Sequence, residues 1–535
     1  MTNTVWEVFA QTATHHPALP FLHIPPRATV AYGGHGVDLK YAEAAEQIKS
    51  LAHGYGAAGY GCGQRVALVL ENRAEFLLHF LALNSIGASI VPVNAEFPPA
   101  DMQYIIQHSD ACLIVTLPEH RQKLTAALGQ ATPPVMDSGS VAPIPPATAP
   151  VVGRANLESE VALLYTSGTT GRPKGCMLSN DYFLCVGNWY VNLGGYCALR
   201  PGQERLITPL PLVHMNALAC SFMGMVMSGG CLIQLDRFHA STWWQTVRES
   251  RATCLHYLGV MPAILLNQPE SAADNLSRQV RFSFGAGSDP RHQERFEKRF
   301  GFPLIEGWAM TETGTEVCIC AQHEPRHLGK RCIGRPTSAI EYRLVDEEGQ
   351  DVAPEQPGEL LIRAKGQNPC KGFFSGYYKD AEATAEAWVG GYFHTGDVMR
   401  VDKDGLFYFV DRRKNIIRRS GENIAAVEVE EILFQHPAVA ACAVAPVPDD
   451  IRGEEVAACV VLKSGITPGP ELAKEIFTYC NDRMIYYKAP GYILYIDQLP
   501  MTASQKIQRG EMKKQAQSKI EQGDCFDMRE MKRNR

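Results

Sequence analysis

A chain of 535 residues exceeds what a single hydrophobic core supports, so two or more domains are expected. With 45 % hydrophobic and 20 % charged residues it has the composition of an ordinary globular protein, which excludes disordered and fibrous classes. Fifty-one basic against 57 acidic residues, a net charge of -6, give no global attraction to nucleic acid, so the basic runs Arg412-Arg413-Lys414 and Arg418-Arg419 need a local explanation.

The sixteen cysteines lack the Cys-x-x-Cys spacing of a zinc site, and a chain of this size needs no disulfide scaffold, which fits a cytoplasmic protein. Met1 to Trp6 shows no basic segment followed by an apolar core, so no secretory signal is expected. The most apolar stretches, 76–92 and 217–235, are interrupted by His79, Asn84 and Ser85 or by Ser228-Gly229-Gly230. They read as buried helix–strand units rather than membrane spans.

Helical patterns alternate with short β-rich runs through the first 400 residues. Residues 65–70 read as a strand, 75–85 as a helix and 88–92 as the next strand. This is the pattern of an α/β protein whose large N-terminal domain has parallel or mixed sheets with flanking helices. A proline-rich connection from Pro143 to Pro150 leads to the apolar run Val161-Ala162-Leu163-Leu164. Near residue 400 the character changes. Residues 398–401 and 406–410 flank Asp404-Gly405 as in a hairpin, then come a helix around 427–435 and strands at 439–444 and 456–461. A small, mobile α+β C-terminal domain over 412–535 is expected, with a solvated tail from about 516, after a large domain over 1–411.

After the apolar run, residues 165–175 read Tyr-Thr-Ser-Gly-Thr-Thr-Gly-Arg-Pro-Lys-Gly. Glycines let backbone N–H groups turn towards an anion, the hydroxyls of Thr166, Ser167, Thr169 and Thr170 add donors beside Gly168, and Lys174 adds a positive charge. That is the chemistry of a phosphate clamp. A P-loop would run Gly-Lys-Ser/Thr into a helix, whereas Arg172-Pro173 interrupts that junction and predicts a loop. A second run, Glu306-Gly307-Trp308-Ala309-Met310-Thr311-Glu312, offers a hard oxygen ligand, Glu312, beside the hydroxyl of Thr311, as a magnesium–nucleotide site requires. Trp308 could stack on a purine.

These two runs resemble signatures of the acyl-adenylate-forming superfamily: acyl-CoA synthetases, luciferases and the adenylation domains of peptide synthetases. Singly, the Thr-Gly-Asp at 395–397 is a common turn and Lys506 near the chain end an ordinary exposed lysine. Together with 209–216, 409–424 and 499–507 they follow the superfamily's order over nearly the whole chain. The resemblance implies that Asp397 accepts from the ribose hydroxyls with Arg412 as a second contact, and that Lys414 is the hinge between domains. It also implies that Gly421 lies in the loop that joins the site for thioester formation, and that Lys506 is the catalytic lysine. His214 and Met215 would line the acyl pocket, and His214 is counted with Thr311, Glu312 and Lys506 among the catalytic candidates. By the same resemblance Gly285, Ala286, Gly307 and Trp308 would touch the nucleotide, Tyr257, Gly287 and Ala309 the substrate, and His256, Gly259 and Met261 are weaker pocket candidates.

Three departures carry information. Trp308-Ala309 stands where the superfamily usually has Tyr-Gly, and the added methyl narrows the neighbouring pocket. His214 stands near where amino-acid-activating relatives carry an aspartate, which disfavours an α-amino acid because its ammonium would lack a counter-charge. Gln505 replaces the usual glycine before the catalytic lysine, and a positive φ there would cost glutamine about 1 kcal/mol. The implied activity is AMP-forming ligation of a carboxylic acid to coenzyme A, using ATP and Mg2+, with a look closest to the crotonobetaine/carnitine-CoA ligase and medium-chain acyl-CoA synthetase branch. The alternatives are an enzyme loading a separate carrier protein and a catalytically silent binding homologue. The expected partner is a small carboxylic acid, with no nucleic acid and no transmembrane segment, and a homodimer is allowed.

Overall fold

The computed structural model describes residues 4–532 apart from 130–132, 141, 152, 167–171, 420–421 and 502–506, and apart from the side chains of Glu316, Lys414 and Asn423. The chain divides into two compact units. One comprises residues 1–342, 362–393 and 404–408, the other 343–361, 394–403 and 409–535. Residues 343–361 and 394–403, which precede the expected boundary at 411/412, belong to the second unit.

In the larger unit two sheets carry the architecture. One runs Val37–Lys40, Pro20–Ile24, Cys231–Gln234, Arg205–Thr208, Cys254–Leu258, Phe282–Ala286, Leu304–Met310, Gly314–Cys320 and Cys332–Pro336 in spatial order. From Pro20–Ile24 to Leu304–Met310 every neighbouring pair is parallel. Strands beyond Leu304–Met310 turn antiparallel. The other sheet runs Gly376–Tyr377, Lys174–Ser179, Glu160–Thr166, Ser89–Pro92, Arg65–Val69, Leu113–Thr116 and Val135–Asp137, parallel except at its first two pairings. Leu163, Ala67, Val69, Val91 and Ile114 of this sheet pack against Ile105 and Leu124 of the helices Pro99–His108 and Arg121–Leu128. Such parallel strands are apolar throughout because helices cover their faces.

The apolar stretches form the expected buried units. Helix Ala74–Ser85 precedes strand Ser89–Pro92, and a π-helical turn Asn216–Ser221 continues as helix Phe222–Ser228 before strand Cys231–Gln234. His79 is carried inside by a hydrogen bond of 2.7 Å with the Tyr55 hydroxyl. Among the described residues no helix is long and apolar enough to cross a membrane, and all sixteen cysteines are free thiols.

The smaller unit has its own sheet, ordered Glu422–Ala425, Ile416–Arg419, Gly453–Leu462, Tyr492–Tyr495 and Phe526–Asp527, with Val439–Asp449 also pairing with Gly453–Leu462. Helices Ala426–Phe434 and Pro470–Asn481 bury Val429, Leu433, Ile476 and Phe477 against it. The expected solvated tail is not what forms. Helix Arg509–Glu521 buries Met512 and Ala516, Phe526–Asp527 adds a strand, and Lys532 is 3 % exposed with its ammonium 2.5 Å from Glu455, whose other oxygen accepts from Arg419 at 2.8 Å. Polar composition suggested solvation, but a buried carboxylate supplied the partner that a buried lysine requires.

Candidate active site

The phosphate-clamp segment joins two antiparallel strands. Thr166 ends Glu160–Thr166, Lys174 opens Lys174–Ser179, and the two are cross-strand partners. Lys174 therefore begins a strand and not a helix, as Arg172-Pro173 predicted. Ser167, Gly168, Thr169 and Thr170 lie outside the described residues, but the base that carries them is well supported. The Tyr165 hydroxyl meets His108 Nδ1 at 2.8 Å, the Tyr104 hydroxyl donates to the Pro173 carbonyl at 3.3 Å, and the Arg172 guanidinium lies 5.1 Å from the Tyr104 ring.

Glu312 sits in the turn between strands Leu304–Met310 and Gly314–Cys320, where Met310 and Gly314 are paired. Gly314 has φ +60°, and a Cβ there would stand 2.6 Å from the Gly372 carbonyl, so only glycine closes this turn. Thr311 is half-buried in the same turn. The Glu312 carboxylate is 7 % exposed and accepts from the Tyr377 hydroxyl at 3.0 Å. Tyr377, absent from the sequence reading, also carries the Lys174 ammonium 5.0 Å from its ring centroid, and Asp380 lies 3.5 Å from the same ammonium. The clamp lysine and the Thr-Glu turn, far apart in sequence, thus belong to one place.

Ligands bind beyond the carboxyl ends of parallel strands, where loops and free backbone groups converge. Here Cys254–Leu258, Phe282–Ala286 and Leu304–Met310 are neighbours and end at Gly259, Gly287 and Trp308-Ala309-Met310. Gly259 and Gly287 both have positive φ, 38° and 76°, and Gly259 N–H donates to the Ala286 carbonyl at 2.9 Å. Gly285 and Gly307 are needed for packing: a Cβ on the first would meet the Tyr257 carbonyl at 2.3 Å, on the second the Phe284 ring at 2.7 Å. Trp308 is 6 % exposed and Ala309 half-buried.

Beneath these ends lies Glu306, 6 % exposed. It accepts from the Tyr257 hydroxyl at 2.5 Å, from Gly287 N–H at 2.9 Å, from Ser288 N–H at 3.2 Å and from the Ser288 hydroxyl. Burial pushes its carboxyl above the usual carboxylate range, while these hydrogen bonds pull it back. Tyr257, expected to face substrate, instead spends its hydroxyl on Glu306 and the Ile305 carbonyl. His256 is fully buried between the hydroxyls of Tyr190 and Ser221, each at 2.7 Å, and burial pushes its pKa down to about 3, so it stays neutral. His214 and Met215, both half-buried, stand at the start of the π-helical turn, and the segment before them is fixed by Asn72, which accepts from Leu212 N–H at 2.8 Å and donates to the Leu210 carbonyl at 3.1 Å.

Asp397 and Arg412 belong to the smaller unit. Asp397 is 1 % exposed and pairs with Arg412 Nε at 2.6 Å, while the neighbouring Gly396 has φ +66° and donates to Glu359 at 3.2 Å. Lys414 falls in the short helical turn Arg413–Asn415. Gly421, Gln505 and Lys506 lie outside the described residues. The group whose fit can be tested is Mg2+. A single buried carboxylate with one oxygen held by a neutral hydroxyl suits an ion that takes few protein ligands and keeps phosphate and water oxygens. No cluster of three or more His, Cys, Asp or Glu able to hold a metal by themselves occurs among the described residues.

A hydroxyl-rich segment between paired strands, and glycine-lined ends of parallel strands in the same unit as a buried carboxylate, fit a nucleotide-dependent α/β enzyme. The comparisons agree. Residues 9–378 match the AMP-binding enzyme family and residues 428–506 the C-terminal domain of AMP-binding enzymes. The sulfoacetate–CoA ligase of Cupriavidus necator is 32 % identical over 520 residues, covering 95 % of this chain and 97 % of that one. A crotonobetaine/carnitine–CoA ligase of Escherichia coli is 31 % identical over 490 residues, covering 88 % and 92 %. The o-succinylbenzoate CoA synthetase of Bacillus subtilis, solved with its acyl-adenylate intermediate, superposes with a TM-score of 0.80 at 25 % identity over 96 % of this chain and 99 % of that one. The chain belongs to the AMP-binding enzyme family.

Proposed function

We propose that this protein is an ATP-dependent, AMP-forming acid:CoA ligase. The observation that carries the reading is that the clamp lysine, Lys174, and the candidate metal ligand, Glu312, meet on one side chain, Tyr377. Full-length relatives named as CoA ligases support it.

In the first half-reaction an oxygen of the acid attacks the α-phosphorus of ATP and pyrophosphate leaves. A carboxylic acid with a pKa of about 4 is already ionised at pH 7, so no general base is needed and the task is alignment and charge stabilisation. Residues 166–174 would cradle the β and γ phosphates, Asp397 and Arg412 would hold the ribose, and Trp308 with Gly285, Ala286 and Gly307 would border the purine. Glu312 would hold Mg2+, which offsets phosphate charge when bound. Lys506 would neutralise charge on the α-phosphate. In the second half-reaction the thiol of coenzyme A attacks the acyl carbonyl and AMP leaves. Lys506 and the loop around Gly421 would serve these two steps in turn, by rotation about Lys414.

His214, Met215, Gly287 and Ala309 would face the acyl group. The absence of an aspartate at His214 and the methyl of Ala309 favour a small or short-chain acid without an α-ammonium, and the sulfoacetate and crotonobetaine/carnitine relatives are consistent with a small polar acid. A cytoplasmic location suits sixteen free thiols. ATP–pyrophosphate exchange across a panel of carboxylates, sulfoacetate and carnitine-like acids included, tests the reading. Exchange with at least one small acid, followed by thioester on added coenzyme A, is expected. Thioester only on a carrier protein would favour the loading enzyme, and no exchange with any acid a silent homologue.

A further inference from the structure

Tyr377 lies well outside the motifs that the clamp and the Thr-Glu turn make conspicuous, yet it touches both. Its residue pair Gly376-Tyr377 forms a short strand against Cys176 and Met177, next to the strand that Lys174 opens. Its backbone N–H donates to the Thr384 hydroxyl at 2.9 Å, its carbonyl accepts from Asp380 N–H at 3.2 Å, and its ring packs edge-on against Phe374 at 4.8 Å. Phe374 N–H in turn donates to the Glu312 backbone carbonyl at 2.9 Å. The side chain is therefore held at the backbone, at the ring and at the hydroxyl, with its O–H on Glu312 Oε1 and its ring 5.0 Å from the Lys174 ammonium.

We infer that Tyr377 is a positioning residue of the Mg2+–ATP site: it commits one oxygen of Glu312 so that the other is presented to the metal, and its ring stations the Lys174 ammonium for the phosphates. This deepens the proposed function and rests on that reading. Each element of the geometry has a defined consequence. The neutral phenolic hydroxyl donates to the Glu312 carboxylate at 3.0 Å, so one of its two oxygens is already committed. A cation 5 Å from a ring centroid is attracted to the ring face without being neutralised, so it can still pair with an incoming anion. Asp380, which caps the helix Ala381–Ala387 through Ala383 N–H at 3.0 Å, lies 3.5 Å from the same ammonium and would be displaced by phosphate.

The two functions of one side chain are separable by substitution, and ATP binding can be measured without knowing the acid. Titration calorimetry of the full chain with ATP, in EDTA and over a series of Mg2+ concentrations, is the test. Tyr377→Phe keeps the ring and loses the donor. It is expected to leave ATP affinity in EDTA within twofold and to raise the Mg2+ concentration for half-maximal tightening about tenfold or more, as one lost hydrogen bond to a charged group predicts. Tyr377→Leu removes the ring as well and should also weaken ATP binding in EDTA, by about threefold or more. Asp380→Asn, which retains the helix cap, should not change the Mg2+ requirement. Equal effects of Tyr377→Phe with and without Mg2+, a loss that tracks a lowered unfolding temperature, or no change would each overturn the role of Tyr377 while the ligase reading stands. A wild-type chain that binds no ATP would overturn both.

Discussion

Two glutamates on one stretch of chain show how environment divides the work of a single residue type. Glu306 is buried among four neutral donors and forms no ion pair among the described residues, so its carboxyl serves as a structural knot. Glu312, in the turn after the same strand, accepts from the Tyr377 hydroxyl, has the Cys176 thiol as a further neighbour and keeps the chemistry of a hard ligand. His256 was a candidate for the pocket, but two hydroxyls claim both ring nitrogens and burial keeps it uncharged, so it supports the π-helical turn after His214 from below. The residue with the sharpest expected phenotype is Lys506. Lys506→Ala should slow acyl-adenylate formation about 100-fold, roughly 3 kcal/mol of transition-state stabilisation, yet still convert a preformed acyl-adenylate to thioester. Near-normal pyrophosphate exchange in that variant would remove its assignment.

At the scale of elements, the site is a set of strand ends held in register by polar groups under them. Glu306 ties Leu304–Met310 to Cys254–Leu258 through Tyr257 and to the segment after Phe282–Ala286 through Gly287 and Ser288. Glu306→Ala would leave the buried N–H and hydroxyl of Ser288 without their acceptor, take a partner from Gly287 N–H and leave the Tyr257 hydroxyl only the Ile305 carbonyl, so a loss of about 3 kcal/mol in stability is expected, with Glu306→Gln milder because it keeps one acceptor oxygen. Thermal unfolding of the two variants checks the ranking, and an alanine variant as stable as wild type would show that the strand ends do not depend on this knot. The elements themselves were largely legible: helix 75–85 and the strands around it follow from apolar periodicity and turn residues, and Arg172-Pro173 argues against a helix at Lys174, which opens a strand. Tyr377 was not legible, because a tyrosine before a capping aspartate carries no local mark of the carboxylate it meets 65 residues away.

Over the whole molecule, the smaller unit is closed by a segment that lies beyond the family match, which ends at 506. Lys532, Glu455 and Arg419 form a buried set with two cations and one anion. Burial pushes the Lys532 pKa down to about 8 from an ordinary 10.5, with Glu455 opposing the shift. Between those two values the unfolded chain still binds the proton that the folded chain has released, so this group makes stability rise with pH across that window and adds nothing to the slope below it. Denaturant unfolding at pH 7.5 and at pH 10 should therefore find the stability difference, wild type minus Lys532→Met, more positive at the higher pH, by about 1–3 kcal/mol. A pH-independent difference would mean that Lys532 titrates at its ordinary value and is not buried in solution.

The sequence by itself determined the family, the α/β class and the order of the motifs, because each motif is a local run whose residue types meet a local chemical need: hydroxyls and glycines for phosphate, an oxygen ligand for a hard cation, proline to keep a loop from becoming a helix. Only the tertiary structure decided which buried polar groups are spent on one another. Tyr257 went to Glu306, His256 to Tyr190 and Ser221, and Lys532 to Glu455, since every polar group removed from water must find a partner and that partner is chosen by the packing of distant segments. The same packing set Tyr377 between Lys174 and Glu312 and so made one site of two motifs that the chain keeps far apart.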